Sequence, residues 1–257
     1  MVIPTRAMRL ALGLVILTAF APRADAQLLK WEDHAYVTFS LGDQPQSRTF
    51  AESSGGVIYE ENASSSVPHT ISSRSFVDFS AGMRVWSNIG VGIGLSQFSD
   101  KDSSTITAQI PNPLIFSAPR TATASTGDLQ HRESDFRLQL IWVLPVSNKI
   151  ELMVFGGPSF LAVKQDFVTV DLADIVENAP PPFNTVALGK AKVTTSLEHV
   201  TGFNFGVDGT FRVTKMWGAG AFIRFSGASV DFSLPAGGTV NLDAGGFQMG
   251  GGPRFRF

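Results

Sequence analysis

Histidine, serine and acidic side chains are the groups in this sequence that are most able to support catalysis or metal binding. The four histidines are scattered, at His34, His69, His131 and His199. Only His131 is followed two residues later by an acid, Glu133, and a spacing of two places both side chains on one face of a strand. A metal site or a general base needs a third partner, which the sequence around His131 does not supply. We therefore expect no catalytic residue, no metal and no cofactor.

The sequence leaves one enzymatic alternative open. His131 or His199 beside a serine is the best candidate for a lipid-modifying site. Against it, the chain has no Gly-x-Ser-x-Gly motif, and the glycines at 92 and 94 lie in an alternating strand pattern rather than in a phosphate-binding turn.

Charged residues recur on the polar face of the predicted strands. If those strands close into a barrel of eight, the interior is only wide enough for side chains, and charges there must be paired or hydrated. Arg224 is expected to pair with Asp78 or Asp208, whereas Arg256 is expected near the wet end. Two roles for these charges are consistent with the sequence. They could form a structural plug, or they could act as a gate that opens a narrow path preferring anions. The predicted lumen network comprises Asp78, Arg84, Arg137, Glu151, Asp208, Arg212, Arg224, Arg254 and Arg256.

Eight segments that alternate apolar and polar residues would position these charges. Such alternation is typical of strands with one apolar face. The clearest segment is 203–213, where Phe203, Phe205 and Phe211 share one face. The others are 34–42, 76–86, 89–96, 136–144, 150–154, 217–226 and 247–257. The sequence thus predicts an all-β fold, an eight-stranded antiparallel up-and-down transmembrane β-barrel.

The connections between these segments alternate in length. Three are short turns, near Ser87, Ser147 and Lys215, and four are long, at about 43–73, 99–132, 164–197 and 230–243. A short helix is expected at 172–178 in the third long loop. This sorting is typical of membrane barrels with short periplasmic turns and long extracellular loops. A soluble secreted β-sandwich is the alternative, because alternation alone does not tell which face points outward.

The N-terminal residues have the layout of a secretory signal peptide. Arg6 and Arg9 precede an apolar run at 10–20, and Ala24-Asp-Ala26 supplies small residues for cleavage. The run is shorter than the roughly 18–20 residues of a spanning helix. We therefore predict a cleaved signal peptide at 1–26 and one barrel domain at 27–257. The net charge of −2 gives no argument for nucleic acid, and the high content of Phe and Gly favours a barrel.

Two sets of apolar residues stand out near the short turns. Tryptophans at such positions are expected to anchor a barrel at the water–lipid boundary: Trp31, Trp86, Trp142 and Trp217. A second set breaks the alternation by pointing inward: Ile141, Val143, Met153 and Phe155. This second set is either an apolar layer that closes the periplasmic end, a pocket for a lipidic ligand, or the sign of a bulge at Gly156-Gly157.

The chain ends on an alternating strand, Phe247 to Phe257, with the final residues Pro253-Arg-Phe-Arg-Phe257. This strand resembles the closing strand of bacterial outer-membrane β-barrels. As a whole, residues 27–257 resemble the small eight-stranded barrels of the OmpA-transmembrane and opacity-protein type. The resemblance implies that Phe255 and Phe257 are the signal read by the barrel assembly machinery, and that outer-membrane lipids surround the protein. Longer relatives carry a peptidoglycan-binding domain after the barrel, and no such domain is expected here.

These features together predict a non-enzymatic outer-membrane protein with a structural or surface-interaction role and a lumen blocked by charged side chains. A narrow channel, or transport of a small apolar ligand, is the alternative, and a lipid-modifying enzyme is the third class. The surface partner is not identified by the sequence.

Overall fold

The computed structural model describes residues 30–235 and 237–257, and strands dominate this part of the chain. The predicted signal peptide lies outside the described residues. No helix in the described ranges is long and apolar enough to cross a membrane. The strands are β1 (Ala35–Gln44), β2 (Arg48–Ile58), β3 (Glu61–Ile71), β4 (Arg74–Trp86), β5 (Ile89–Ile110), β6 (Arg120–Pro145), β7 (Ile150–Thr169), β8 (Ile175–Glu177), β9 (Val186–Leu188), β10 (Lys192–Arg212), β11 (Trp217–Ser233) and β12 (Thr239–Arg256).

Within the described residues, eight of these strands close into an antiparallel barrel. The order around the ring is β5, β4, β1, β12, β11, β10, β7 and β6, and β6 pairs back with β5. β1 joins β12 with Val37 opposite Phe255, and the Phe257 backbone N–H donates to the carbonyl of Ala35. Short turns at 87–88, 146–149 and 213–216 share one end of the barrel with the start of β1. The predicted eight-stranded barrel with sorted connections is confirmed.

The long connections contain more strand than the sequence suggested. The first is a β-hairpin, β2–β3, whose register runs from Arg48 opposite Ile71 to Ile58 opposite Glu61. The second shrinks to 111–119, because β5 and β6 extend past the predicted loop ends. Residues 172–178 do not form the expected helix, since β8 pairs with β9. Ser- and Thr-rich segments suggested loops, yet their alternation with small apolar residues is itself a strand pattern.

The polarity of the barrel wall inverts at one level along its height. On β5 the outward positions from Ile89 to Leu95 are apolar, and those from Gln97 to Gln109 are polar. The inward positions are glycine and serine at 90–96, and above them Phe98, Ile106, Ala108 and Ile110 are buried together with the polar Asp100 and Ser104. On the other strands the continuous outward apolar run ends at Leu41, Val77, Phe136, Phe160, Phe203, Phe225 and Phe247.

This inversion divides the barrel into two parts with different surroundings. The lower part, next to the short turns, presents an exposed apolar band and a polar interior. The upper part, next to the long connections, has a mainly polar exterior, and its core is apolar apart from hydrogen-bonded groups such as His131, Glu133 and Gln165. An exposed apolar band around a whole barrel needs an apolar medium outside it, since soluble proteins rarely expose large contiguous apolar patches.

A matched pair of substitutions on β10 tests this boundary. Phe205 lies within the apolar band, and Thr201 points outward above it. Because the basic side chain must leave water only at the first position, Phe205→Arg should cost about 2 kcal/mol or more of unfolding free energy in lipid vesicles, and Thr201→Arg about 0–1 kcal/mol. Urea titrations of both variants measure the difference. Equal losses at both positions would contradict the boundary.

Candidate functional site in the lumen and at the loop end

An apolar layer occupies the lumen near the short turns. The inward residues Ile141, Val143, Met153 and Phe155 are all buried there. The β6–β7 register keeps one offset on both sides of Gly156-Gly157, with Ile141 opposite Phe155 and Arg137 opposite Ser159. The inward direction of these residues is therefore real, and the bulge considered from the sequence does not form.

Trp31 fills this layer together with Tyr36, which corrects its predicted place in the interfacial belt. Its side chain is 1% exposed, and its backbone N–H donates to Asn88 Oδ1 at 3.2 Å. Alternation could not assign a face to Trp31, because it precedes the first strand. Trp86, Trp142 and Trp217 do point outward near the short turns.

Arg84 also departs from its predicted place in the ion-pair network. Its guanidinium donates to the Trp31 carbonyl and lies 3.5 Å from His34 Nδ1. Because β4 ends two residues later, this side chain is at the mouth of the barrel and holds the segment at 30–33 there instead of reaching a carboxylate inside.

Glu151 organises the lowest group of ion pairs. Its two oxygens accept from Arg256 Nη2 and Arg212 Nη2, each at 2.6 Å, and Arg212 also bonds Asp33. The Arg256 guanidinium lies 5.3 Å from the centre of the Tyr36 ring. The prediction that Arg256 lies at the solvent-exposed end of the lumen is wrong, since Arg256 is only 2% exposed.

Asp208 and Arg254 form a second, fully enclosed pair. Arg254 donates to Asp208 Oδ2 from Nε at 3.0 Å and from Nη2 at 2.6 Å. Its Nη1 donates to Ser40 Oγ at 2.9 Å. Asp208 is therefore paired with Arg254 and not with Arg224, because the stagger of the strands brings β12 rather than β11 to its carboxylate.

Asp78 bridges two arginines just below the level at which the polarity of the barrel wall inverts. Its Oδ2 accepts from Arg137 Nη2 at 2.5 Å and from Arg224 Nη1 at 2.8 Å. Arg137 Nη1 also donates to Asp135 at 3.0 Å, and Arg224 Nε donates to Gln248 Oε1 at 2.8 Å. The sequence placed Asp78, Arg137 and Arg224 in the lumen but gave Gln248 no role, since a glutamine carries no charge signal.

The ion-paired groups of the lower barrel are balanced in charge. Among the described residues the ion pairs of this region join five arginines and five carboxylates: Arg137, Arg212, Arg224, Arg254 and Arg256 with Asp33, Asp78, Asp135, Glu151 and Asp208. The network predicted from the sequence had six arginines and three carboxylates, whereas this set is balanced because Asp33 and Asp135 join it and Arg84 does not.

An apolar core continues the filling of the lumen in the upper part. It contains Phe98, Leu161, Val163, Phe167 and Phe232. The β2–β3 hairpin contributes Phe50, stacked on the His69 ring with 4.7 Å between centroids, and His69 Nε2 lies 2.9 Å from Glu52 Oε1. The hairpin thus packs its inner face onto the barrel core.

His131, which is followed two residues later by Glu133, is held inside this core. Its Nδ1 is 2.7 Å from Gln165 Oε1, and its Nε2 is 3.0 Å from Glu133 Oε1. Glu133 also accepts from the backbone N–H of Gly245 at 2.9 Å. The adjoining cavity has a volume of about 10 Å³, which is room for one water molecule. In the described ranges no group of three or more potential metal ligands comes together.

The loop end carries an exposed apolar tip that the sequence did not single out. Leu114, Ile115 and Phe116, in the connection from β5 to β6, are 62%, 46% and 78% exposed. The loop is held in shape, because the N–H groups of Leu114 and Ile115 donate to Asn112 Oδ1 at 2.8 and 3.1 Å. We call residues 114–116 the apolar tip.

An ion pair ties the base of this loop to its neighbours. Arg120 Nη2 donates to Glu177 Oε1 at 3.0 Å, and Nη1 donates to the Phe183 carbonyl at 2.8 Å. The Tyr59 hydroxyl donates to Glu177 at 3.3 Å. The hydrogen bond from Arg120 lowers the pKa of the Glu177 carboxyl below its ordinary value, and loss of hydration together with the Glu177 charge raises the pKa of Tyr59.

Comparisons with known proteins add a resemblance in fold. No protein-family model and no curated protein matches the sequence. Among solved structures, the chain is similar to the outer membrane protein OprG from Pseudomonas aeruginosa, with 7% identity, a TM-score of 0.43, and coverage of 88% of this chain and 96% of that one. It is similar to Neisserial surface protein A, with 13% identity, a TM-score of 0.39, and coverage of 87% and 97%.

A third similar structure is the outer membrane protease OmpT from Escherichia coli, with 9% identity, a TM-score of 0.43, and coverage of 91% of this chain and 100% of that one. At such identities and TM-scores the likeness gives no information on function. The narrower resemblance to the OmpA-transmembrane and opacity-protein type stays a prediction.

The enclosed pair of Asp208 and Arg254 gives a double-mutant test of the charged lumen. Each single change, Asp208→Val or Arg254→Met, leaves one buried charge without its partner and should cost about 3–5 kcal/mol of unfolding free energy. The double variant should lose less than the sum by about 1–3 kcal/mol, because no stranded charge remains. Urea unfolding from vesicles measures all three, and additive losses would show that the pair is hydrated.

The contact of Glu177 with Arg120 predicts a response to acid at the loop end. Because the pKa of Glu177 is lowered in the folded protein, this contact adds stability above the ordinary carboxyl pKa and loses it as the pH falls through the lowered pKa. Pepsin cleavage at residues 114–116 should therefore rise at the acidic end of that window. In the Glu177→Gln control the cleavage should be high at every pH tested, and a control that keeps the parent's pH dependence would contradict the assignment.

Proposed function

We propose that this chain is an outer-membrane β-barrel with a closed lumen, and that its role is structural or interactive at the cell surface. The observation that carries the proposal is the inverted polarity of the wall. A band that is apolar outside and polar inside fits a bilayer, and the sheet above it fits water. In this placement the short turns are periplasmic, and the apolar tip is extracellular.

The closed lumen is supported by what fills it at successive heights. The Trp31 layer and the Glu151 ion pairs lie near the short turns, the ion pairs of Asp208 and Asp78 lie further up, and the Phe-rich core lies above them. An eight-stranded barrel leaves space for little beyond such side chains. The paired charges also lack the excess of one sign that would favour an ion of the opposite sign.

A role at the surface is supported by the apolar tip. Large apolar side chains on a constrained loop, far from the apolar band, gain nothing from their exposure in water and are suited to a partner with an apolar surface. Assembly in the outer membrane would use the β12 strand, where Phe255 and Phe257 are the predicted signal for the assembly machinery.

A non-catalytic role is part of the proposal. Although one similar structure is a protease by name, His131 is enclosed with Gln165 and Glu133 beside a cavity of about 10 Å³. A general base needs a substrate proton within hydrogen-bond reach, and this enclosure leaves no room for a substrate.

The location is tested on intact cells. Fractionation should place the protein in the outer membrane with a gel mobility that changes on heating, and an epitope inserted after Phe116 should be detected on whole cells. A soluble periplasmic protein whose mobility does not depend on heating would overturn the proposal.

Planar-bilayer recording tests the closed lumen. Since the filling has several independent layers, the parent protein should show no discrete conductance, and Trp31→Ala alone should not open a path. Discrete steps that change with Arg137→Met or Arg254→Met would instead support the narrow-channel alternative.

A further inference from the structure

The outer wall of the lower barrel contains one large apolar groove, which none of the preceding features uses. It has a volume of about 830 Å³ and crosses β1, β4, β5, β6 and β7. Its floor and sides include Ala35, Val37, Ala81, Met83, Leu138 and Leu140, and we call it the wall groove.

A row of residues on the inner wall explains why the outer wall is concave here. The strand register aligns Tyr36 with Gly82, Gly82 with Gly92, and Gly92 with Gln139. A Cβ on Gly82 would lie 2.6 Å from the Tyr36 ring, and one on Gly92 would lie 2.8 Å from its hydroxyl. The backbone of the wall therefore lies as close to Tyr36 as glycine allows. Because the wall is drawn inward at this point, its outer surface is concave and forms the wall groove.

The pairing of β6 with β7 is interrupted at the same height. Arg137 pairs with Ser159 and Leu140 with Gly156, but the ladder between these pairs is missing. Pro158 lies in this gap and has no N–H to donate. The end of the wall groove at β7 therefore has a wall with fewer cross-strand bonds.

The lining fits a hydrocarbon chain and offers little to a polar group. All the residues that line the groove are uncharged, and the polar side chains among them, Tyr36 and Gln139, are buried. Four strand spacings of about 4.8 Å give a length of roughly 19 Å, which suits an extended chain lying across the strands.

We propose that the wall groove binds one acyl chain of a lipid of the surrounding bilayer. The inference rests on the proposed membrane location, because the groove lies within the apolar band. A second copy of the chain is a poorer occupant, since a two-fold interface brings the same patch of both partners together, and two hollows cannot fill each other. Because no charged residue lines the wall groove, it would select a lipid by its acyl chain and not by its headgroup.

Photolabelling in vesicles tests the proposal with the intact barrel. The probe is a phosphatidylcholine with a diazirine on one acyl chain, at trace level in phosphatidylcholine vesicles. Peptide mapping should find several-fold more adduct on 138–140 of β6 than on 223–225 of β11, an outward apolar segment outside the groove. Equal labelling of both segments would show ordinary surrounding lipid and overturn the proposal.

Two alanine variants complete the test. Ala81→Phe fills the groove, so labelling of 138–140 should fall to the level of 223–225, whereas Ala221→Phe on β11 should leave the parent ratio unchanged. If Ala81→Phe does not fold, as judged by heat-dependent mobility, Ala35→Leu fills the other end and should lower the ratio. Undiminished labelling in a folded, filled variant would also overturn the proposal. Absence of label from both segments in the parent would show that the band does not meet lipid, and the proposed membrane location itself would fail.

Discussion

A charge removed from water needs an opposite charge nearby, and the interior of the lower barrel is built around this requirement. Asp78, Asp208 and Glu151 each accept from arginines on other strands, so that the pairs tie the wall together across the lumen. Arginine needs space for such contacts. A Cβ on Gly94 would lie 2.6 Å from Arg137 Nη2, and one on Gly220 would lie 2.8 Å from Arg254 Nε, so glycine at these positions admits the guanidinium groups.

The same wall serves two environments, and the sequence changes its alternation to match. Below the switch, outward residues such as Val91 and Phe205 are apolar, and the charges are inside. Above it, the exterior is polar and the core contains Phe98 and Phe167. The β2–β3 hairpin belongs to the upper part, where its inner face adds apolar residues to the core.

The barrel itself could be predicted because period-two alternation and sorted connection lengths are local signals. The ion-pair partners across the lumen could not be predicted, because they depend on how far neighbouring strands are offset along the barrel. Asp208 thus pairs with Arg254, and Arg256 is enclosed rather than wet. Trp31 was misplaced because it precedes any strand and has no alternation to orient it. The hairpin was missed because Ser, Thr and Gly suggest loops even where they alternate as a strand.

We propose that the barrel wall passes from lipid into water between Leu95 and Gln97 on β5. The chain contains no cysteine, so single cysteines with a nitroxide label can be placed at every outward position from 89 to 109. Collision with oxygen and with a water-soluble nickel complex then reports the medium at each site in vesicles. We expect high oxygen access at 89–95 and high nickel access from 97 onward. Nickel access at all of these positions, or oxygen-dominated access beyond 97, would contradict it.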